Sequence, residues 1–237
     1  MPHTRTQPSY GLVGSGQAAR HFCRYLRLRR IPFKTWTRRS GASVEKTLAG
    51  CTTILLLIKD DALAPFIKAH PFLKGKRLVH FSGSLTVPGA VGMHPLVSFA
   101  PKRLSLKDCE RIAFIVEKGG PSFRAVFPRL KNPSYRVAPK MKPYYHALCV
   151  MAGNFPVLLW RKFFREFGRV TGAPASAAKP YLDSVLASLG RGSKAVLSGP
   201  FARKDGGTVR RNLAALKGDS YRPVYRAFAR AEFRRTK

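Results

Sequence analysis

The stretch Ser9-Tyr-Gly-Leu-Val-Gly-Ser-Gly-Gln-Ala-Ala-Arg-His-Phe22 decides how the rest of the chain is read. Tyr10 to Val13 is a short apolar run that stops at a glycine, which predicts a strand. From Ala18 onward the period changes. Ala19, Phe22, Cys23 and Leu26 fall at i, i+3, i+4 and i+7, with Arg20, Arg24 and Arg27 on the other side, so an amphipathic helix is expected. Between strand and helix lies Gly14-Ser15-Gly16-Gln17-Ala18-Ala19, a G-x-G-x-x-A run. In this position each small residue has a purpose. The first glycine allows the tight turn, the second lets a pyrophosphate approach the backbone, and the alanine lets the helix pack closely on the sheet. The N–H groups at the helix start then face the phosphates. The alternative is a structural strand–helix turn that holds no ligand.

Working outward, the alternation continues. Residues 31–36 and 52–59 read as strands, the latter apolar throughout, as in a sheet covered on both faces. Asp60 and Asp61 are expected to cap a helix running toward Ala69. Residues 76–84, 111–120 and 134–139 read as further strands, with a short helix in Ser122–Leu130. This is the pattern of an α/β chain with a Rossmann-type, mostly parallel sheet. Past Lys140 the character becomes helical. A long helix is expected to start near Pro143, kink at Pro156 and stop at Gly168, with three more helices over 180–190, 208–218 and 221–235. The expected organisation is a nucleotide-binding domain over 1–139 and an all-helical substrate and dimerisation domain over 140–237.

The end of the second strand bears on the cofactor. NAD-preferring folds place an acid there for the ribose 2′-hydroxyl. This chain has Trp36-Thr37-Arg38-Arg39-Ser40. Two guanidiniums and a hydroxyl suit a 2′-phosphate, so NADP is the expected cofactor, held by Arg38, Arg39 and Ser40. The charge goes far beyond this need. Lys plus Arg is 44 against 11 acids, a net charge of +33 spread along the chain. Such a chain attracts polyanions, so a non-catalytic Rossmann-scaffold protein that senses cofactor or binds nucleic acid without sequence preference stays open as the second reading. The basic, aromatic stretch Tyr221–Arg235 favours it. Cys23, Cys51, Cys109 and Cys149 are widely spaced, as in a reducing, cytoplasmic setting. No signal-peptide core is visible, and the longest apolar stretch, Ala147–Trp160, is broken by Asn154 and Pro156, so no membrane span is expected. No metal site is expected.

Ligands of open α/β sheets lie beyond the carboxyl ends of the strands. Ile58 and Lys59 follow the third strand, and Ser82, Gly83 and Ser84 follow the fourth. Ile58, Lys59, Ser82 and Gly83 are expected to border the cofactor, and Ser84 the substrate, although ordinary turn chemistry accounts for the serines equally well. Gly92-Met-His-Pro-Leu96 reads as another such turn. His94 in it is a candidate for polarising a carbonyl or exchanging a proton near neutral pH, with Pro95 beside the substrate. On the long helix Lys142 and His146 share a face at i, i+4, and Asn154 lies on an adjoining one.

The segments Gly11–Ala19, Ile54–Leu63, Val79–Leu85, Gly92–Phe99, Lys142–Asn154 and Leu197–Leu216 resemble an uncharacterised Rossmann-like family with a C-terminal helical domain of unknown function. That family is related to pyrroline-5-carboxylate reductases and deazaflavin-linked NADP oxidoreductases. The resemblance implies an NADP-dependent reduction of a small C=N or C=O substrate and a homodimer formed through the helical domain. The His94–Pro95 pair resembles the segment of prephenate-dehydrogenase-type enzymes in which the histidine faces the reacting hydroxyl. More distant β-hydroxyacid dehydrogenases carry Lys and Asn four apart on such a helix. Here His146 stands four after Lys142, a departure from that pattern. Catalytic roles are therefore expected for His94, with His146 or Asn154, and substrate contact for Lys142. In the relatives a loop comparable to 198–209 lies near the active site, which implies that Arg203 binds a substrate carboxylate or phosphate. The alternative there is a loop whose Asp205 and Thr208 cap the next helix.

Overall fold

The computed structural model describes residues 9–99, 103–192 and 197–233. The chain divides into two compact units, Met1–Trp160 and Arg161–Lys237.

The first unit is built on a seven-stranded sheet: β1 (Tyr10–Val13), β2 (Phe33–Trp36), β3 (Thr53–Leu56), β4 (Arg77–His80), β5 (Ala90–Pro95), β6 (Phe114–Glu117) and β7 (Ser134–Val137). Their spatial order is β2-β1-β3-β4-β5-β6-β7. β1 to β5 run parallel, β6 is antiparallel to β5, and β7 is parallel to β6. The order reverses on either side of β1, the switch point where open α/β sheets place ligands. One expectation changes. Gly92–Pro95 belongs to strand β5 rather than to a turn; Gly92 blurs the alternation, and Pro95 is tolerated as the strand's last residue. The sheet is mostly parallel, as expected, with β5–β6 its antiparallel pair.

Helix α1 (Gln17–Leu28) buries Ala19, Phe22, Cys23 and Leu26, the face expected from the sequence, together with His21 and Tyr25. Phe22 is the hub of that side, edge-on to Phe81 at 5.1 Å and to Phe127 at 5.5 Å. The opposite face of the sheet packs Val13, Ile54, Leu56 and Leu78 against α2 (Val44–Leu48) and Leu63 of α3 (Asp60–Ala69). Leu55 points to the first cluster and its neighbours to the second, which is why this strand is apolar throughout. The cap of α3 is Lys59, not Asp60 or Asp61. Short helices α4 (Leu106–Arg111) and α5 (Phe123–Val126) complete the layers.

Past β7 come α6 (Lys142–Gly153) and α7 (Phe155–Thr171), and the division between the units falls inside α7. The break lies at Asn154, directly before Phe155 and Pro156. The helix runs through Gly168 and ends three residues later, where Gly172 takes φ +72° and its N–H bonds to the Gly168 carbonyl at 2.8 Å.

The second unit adds α8 (Lys179–Leu189), α9 (Gly199–Ala202), α10 (Gly206–Ala215) and α11 (Arg222–Phe233). Lys162 meets the Asp219 carboxylate at 2.6 Å, and the Asn212 amide donates to the Tyr225 hydroxyl at 2.9 Å.

Candidate active site

The phosphate cradle follows from its backbone. Gly14 sits at φ +133°, and a β-carbon there would run into the Leu57 carbonyl, so only glycine fits. Its N–H bonds to the Trp36 carbonyl at 3.1 Å, which ties the loop to the end of β2. Gly16 differs: its φ is ordinary, and a β-carbon would meet nothing within 4 Å. It caps α1 without a side-chain hydrogen bond, and the first turn carries no acid. The N–H groups at this helix start are therefore open to an anion. Ser15 and Gln17 are exposed beside it, Ala18 is half-buried and Ala19 packs on the sheet. A 960 Å³ cleft runs from Gly14 and Ser15 past Gln17 and Arg20 to Thr35 and Thr37.

Arg38 and Arg39 are exposed at the tip of the turn after β2. Ser40 is structural here. Its hydroxyl accepts the Thr37 N–H at 2.8 Å and its own N–H bonds to the Thr37 carbonyl at 2.9 Å, closing the turn that presents both arginines. Ile58 is half-buried against the second core cluster, and Lys59 is exposed.

The same edge of the sheet carries a second cluster. The Ser82 hydroxyl donates to Asp60 Oδ2 at 2.6 Å and accepts the N–H groups of Ser84 and Leu85 at 3.3 and 3.0 Å. Ser84 donates to the same carboxylate oxygen at 3.2 Å. Asp60 thus clamps the loop after β4 instead of capping α3. Gly83 has no room for a side chain, because a β-carbon would strike the His146 ring and come within 3.1 Å of His94.

His94, near the end of β5, pairs through Nδ1 with the Tyr145 hydroxyl at 2.8 Å. His146 stands perpendicular to it, 5.7 Å between ring centres. Burial, then the neighbouring His146 and Lys142, push the His94 imidazole down to about 4. It is neutral at pH 7 and available there as a hydrogen-bonding group. Pro95 is buried in the sheet opposite Phe114.

Lys142 points inward. Its side chain is 3% exposed, bonds to Glu117 Oε2 at 3.2 Å and also donates to the Leu85 carbonyl. Glu117 Oε2 accepts the Gly92 N–H at 3.1 Å as well. His80 is fully buried, 4.0 Å from that oxygen, with neither ring nitrogen hydrogen-bonded, and burial holds it neutral, down to about 4. Lys142 therefore ties α6 to the Leu85 turn and to β6 and is already engaged. Asn154 is exposed, eight residues and about 12 Å along the helical run from His146, so the two are not brought together. Arg203 is exposed at the end of α9 in the second unit; beside it Asp205 caps α10 through Thr208, N–H at 2.9 Å and hydroxyl at 2.6 Å.

Sequence reasoning passed over His80, Glu117 and Tyr145. Glu117 did leave a signal: a carboxylate inside an apolar strand, in a chain with only 11 acids.

Residues 116–232 match the family model described as Domain of unknown function (DUF2520). The matched stretch begins inside β6, so it includes Glu117, Lys142, Tyr145 and His146, whereas the glycine cradle, Ser82 and His94 precede it. No curated protein matches the chain. Among solved structures, BF3122 of Bacteroides fragilis, a proposed NADP oxidoreductase, is similar at TM-score 0.73 and 19% identity over 95% of this chain and 97% of that one. An imine reductase from Myxococcus stipitatus in complex with NADP+ is similar at TM-score 0.64 and 14% identity, over 96% and 93%. The pyrroline carboxylate reductase of Plasmodium falciparum with NADP bound follows at 0.58 and 15%, over 95% of each chain. At these identities the likeness establishes the Rossmann-like fold with its helical C-terminal region. No helix among the described residues is long and apolar enough to cross a membrane.

Proposed function

We propose that the protein is an NADP(H)-dependent oxidoreductase that transfers a hydride between the nicotinamide and a small carbonyl or imine substrate. One observation carries this: the anion-accepting cradle and the half-buried imidazole pair lie at the same carboxyl-terminal edge of one sheet. β1, β3, β4 and β5 are parallel, so Gly14, Lys59 and Ser82–Ser84, which follow them, and His94 near the end of β5 all lie at that edge. The open space at Gly16 and the uncapped start of α1 fit a pyrophosphate. Gly14 to Ala19 would hold it, Arg38 and Arg39 the 2′-phosphate, and Ile58, Lys59, Ser82 and Gly83 would border the ribose and nicotinamide. The nicotinamide, when bound, supplies or accepts the hydride. His94 hydrogen-bonds the substrate's heteroatom, and Lys142 with Glu117 fixes the helix that carries Tyr145 and His146. The NADP-bound structural neighbours support this choice of cofactor.

Two further features belong to this proposal. Tyr144, Leu148, Met151, Phe155 and Leu158 are exposed at a 4-3-4-3 spacing along α6 and the start of α7, a seam suited to pairing with a second copy of the chain. All four cysteines are free, which supports a reducing, cytoplasmic setting.

The test is a titration of NADPH, NADH and a random oligonucleotide at low and high salt. NADPH is expected to bind more tightly than NADH. Arg38→Ala/Arg39→Ala is expected to erase about tenfold or more of that preference, the worth of one charge-assisted bond at about 1.5 kcal/mol. Oligonucleotide binding that resists salt, together with no NADPH binding, would overturn the proposal in favour of a nucleic-acid-binding scaffold.

A further inference from the structure

We propose that Tyr145 is a positioning residue that locks His94 as the neutral Nε2–H tautomer, and that this makes the site select an uncharged carbonyl over a protonated imine. The inference rests on the oxidoreductase reading and narrows its substrate class.

The phenol has one hydrogen and two neighbours. One is His94 Nδ1 at 2.8 Å. The other is Cys149, one helical turn further along α6, whose thiol also interacts with the phenol. An imidazole nitrogen is a far better acceptor than sulfur, so the phenol hydrogen goes to Nδ1 and the thiol donates to the phenol oxygen. Burial raises the Tyr145 hydroxyl well above the usual tyrosine value and lowers His94, so both stay neutral at pH 7 and the assignment holds there. With Nδ1 occupied as acceptor, Nε2 carries the hydrogen. Nε2 lies on the side of the ring that packs over Gly83, where a β-carbon would come within 3.1 Å, and it has no hydrogen-bond partner among the described residues. The charged and titratable groups around the ring are His146 and Lys142 from α6 and Asp60 from the start of α3. Lys142 is committed to Glu117, and Asp60 to Ser82 and Ser84.

His94 therefore presents a donor and no acceptor. A carbonyl oxygen has lone pairs to receive it, and the bond strengthens as hydride from the reduced nicotinamide loads charge onto the oxygen, which then takes a proton from water to give the alcohol. A protonated imine has no lone pair on nitrogen and meets N–H with N–H. The structure thus favours an aldehyde or ketone.

The experiment has two arms. The first records the imidazole nitrogen resonances of ¹⁵N-histidine-labelled protein without cofactor. His94 is expected to be the Nε2–H tautomer, unprotonated down to about pH 5, and Tyr145→Phe is expected to give mixed tautomers. An Nδ1–H tautomer in the unmodified protein, or no change in Tyr145→Phe, overturns the proposal. The second arm compares a panel of aldehydes and ketones with cyclic imines at pH values where those are protonated, with NADPH saturating. Carbonyl turnover is expected to exceed imine turnover, and Tyr145→Phe to lower the carbonyl kcat about tenfold with NADPH binding unchanged. Faster turnover of the protonated imines overturns the proposal. The first arm needs neither cofactor nor substrate, so a failure to bind NADPH would count against the oxidoreductase reading alone.

Discussion

Glu117→Gln is the most informative single change. It keeps the shape and the acceptor for the Gly92 N–H but removes the charge that faces Lys142 at 3.2 Å. The Lys142 side chain is 3% exposed and that of Glu117 8%, so water cannot replace the lost carboxylate. Breaking one side of such a pair costs about 3–5 kcal/mol. Two features place this case near the lower bound. The Leu85 carbonyl still accepts from the ammonium, and burial already lowers the Lys142 pKa. About 3 kcal/mol in a chain of this size corresponds to a Tm drop of roughly 6–12 °C. Thermal melts and urea unfolding measure it. The reasoning also requires that removing both charges is milder: Lys142→Met with Glu117→Gln should recover to within about 1 kcal/mol of the unmodified protein, because no uncompensated charge remains. A Tm change below about 2 °C for Glu117→Gln, or a double variant less stable than the single one, would refute the account of Lys142 as a held, structural ammonium.

Stability should fall on acidification. His80 and His94 are held neutral down to about 4 in the fold, whereas unfolded histidine titrates near 6.5. Between those values the unfolded chain takes up protons that the native state refuses. The stabilisation is complete above about pH 6.5 and declines toward pH 4, with a limiting slope of about 1.4 kcal/mol per pH unit per histidine. Urea midpoints across that range measure the slope, and a flat profile would contradict the buried neutral imidazoles. The two glycines of the cradle should separate folding from binding. Gly14→Ala forces a side chain into the Leu57 carbonyl at positive φ, so a loss of roughly 1–3 kcal/mol of stability is expected. Gly16→Ala has open space around it, so the melt should be unchanged while NADPH affinity falls, as read by calorimetry. If the exposed seam pairs two copies as proposed, Leu148→Glu shifts sedimentation from dimer toward monomer.

What the sequence revealed was local, and what it withheld was distant. The β1–α1 junction was legible because glycine geometry and a 3.6-residue period act within a short stretch of chain, and Ala19, Phe22, Cys23 and Leu26 are indeed the buried face of α1. β5 was not, because a six-residue strand holding Gly92 and ending at Pro95 reads as a turn. The partners of the site were hidden by separation: Tyr145 meets His94 across 51 residues, Lys142 meets Glu117 across 25, and its ammonium reaches the Leu85 carbonyl across 57. No periodicity spans such distances.

Yet the composition held a clue of another kind. Against 44 basic residues stand only 11 acids, and several of them hold a specific partner. Asp108 closes a capping box with Ser105 at the start of α4, and Asp205 caps α10 through Thr208. Asp219 grips Lys162. Asp60 clamps the turn below the imidazoles, and Glu117 neutralises the buried Lys142. In so basic a chain these five acids pin structure. Two of them serve His94 from a distance: Asp60 fixes Ser82 and Ser84, which flank the Gly83 beside its ring, and Glu117 holds Lys142 on the helix that delivers the Tyr145 hydroxyl to its Nδ1.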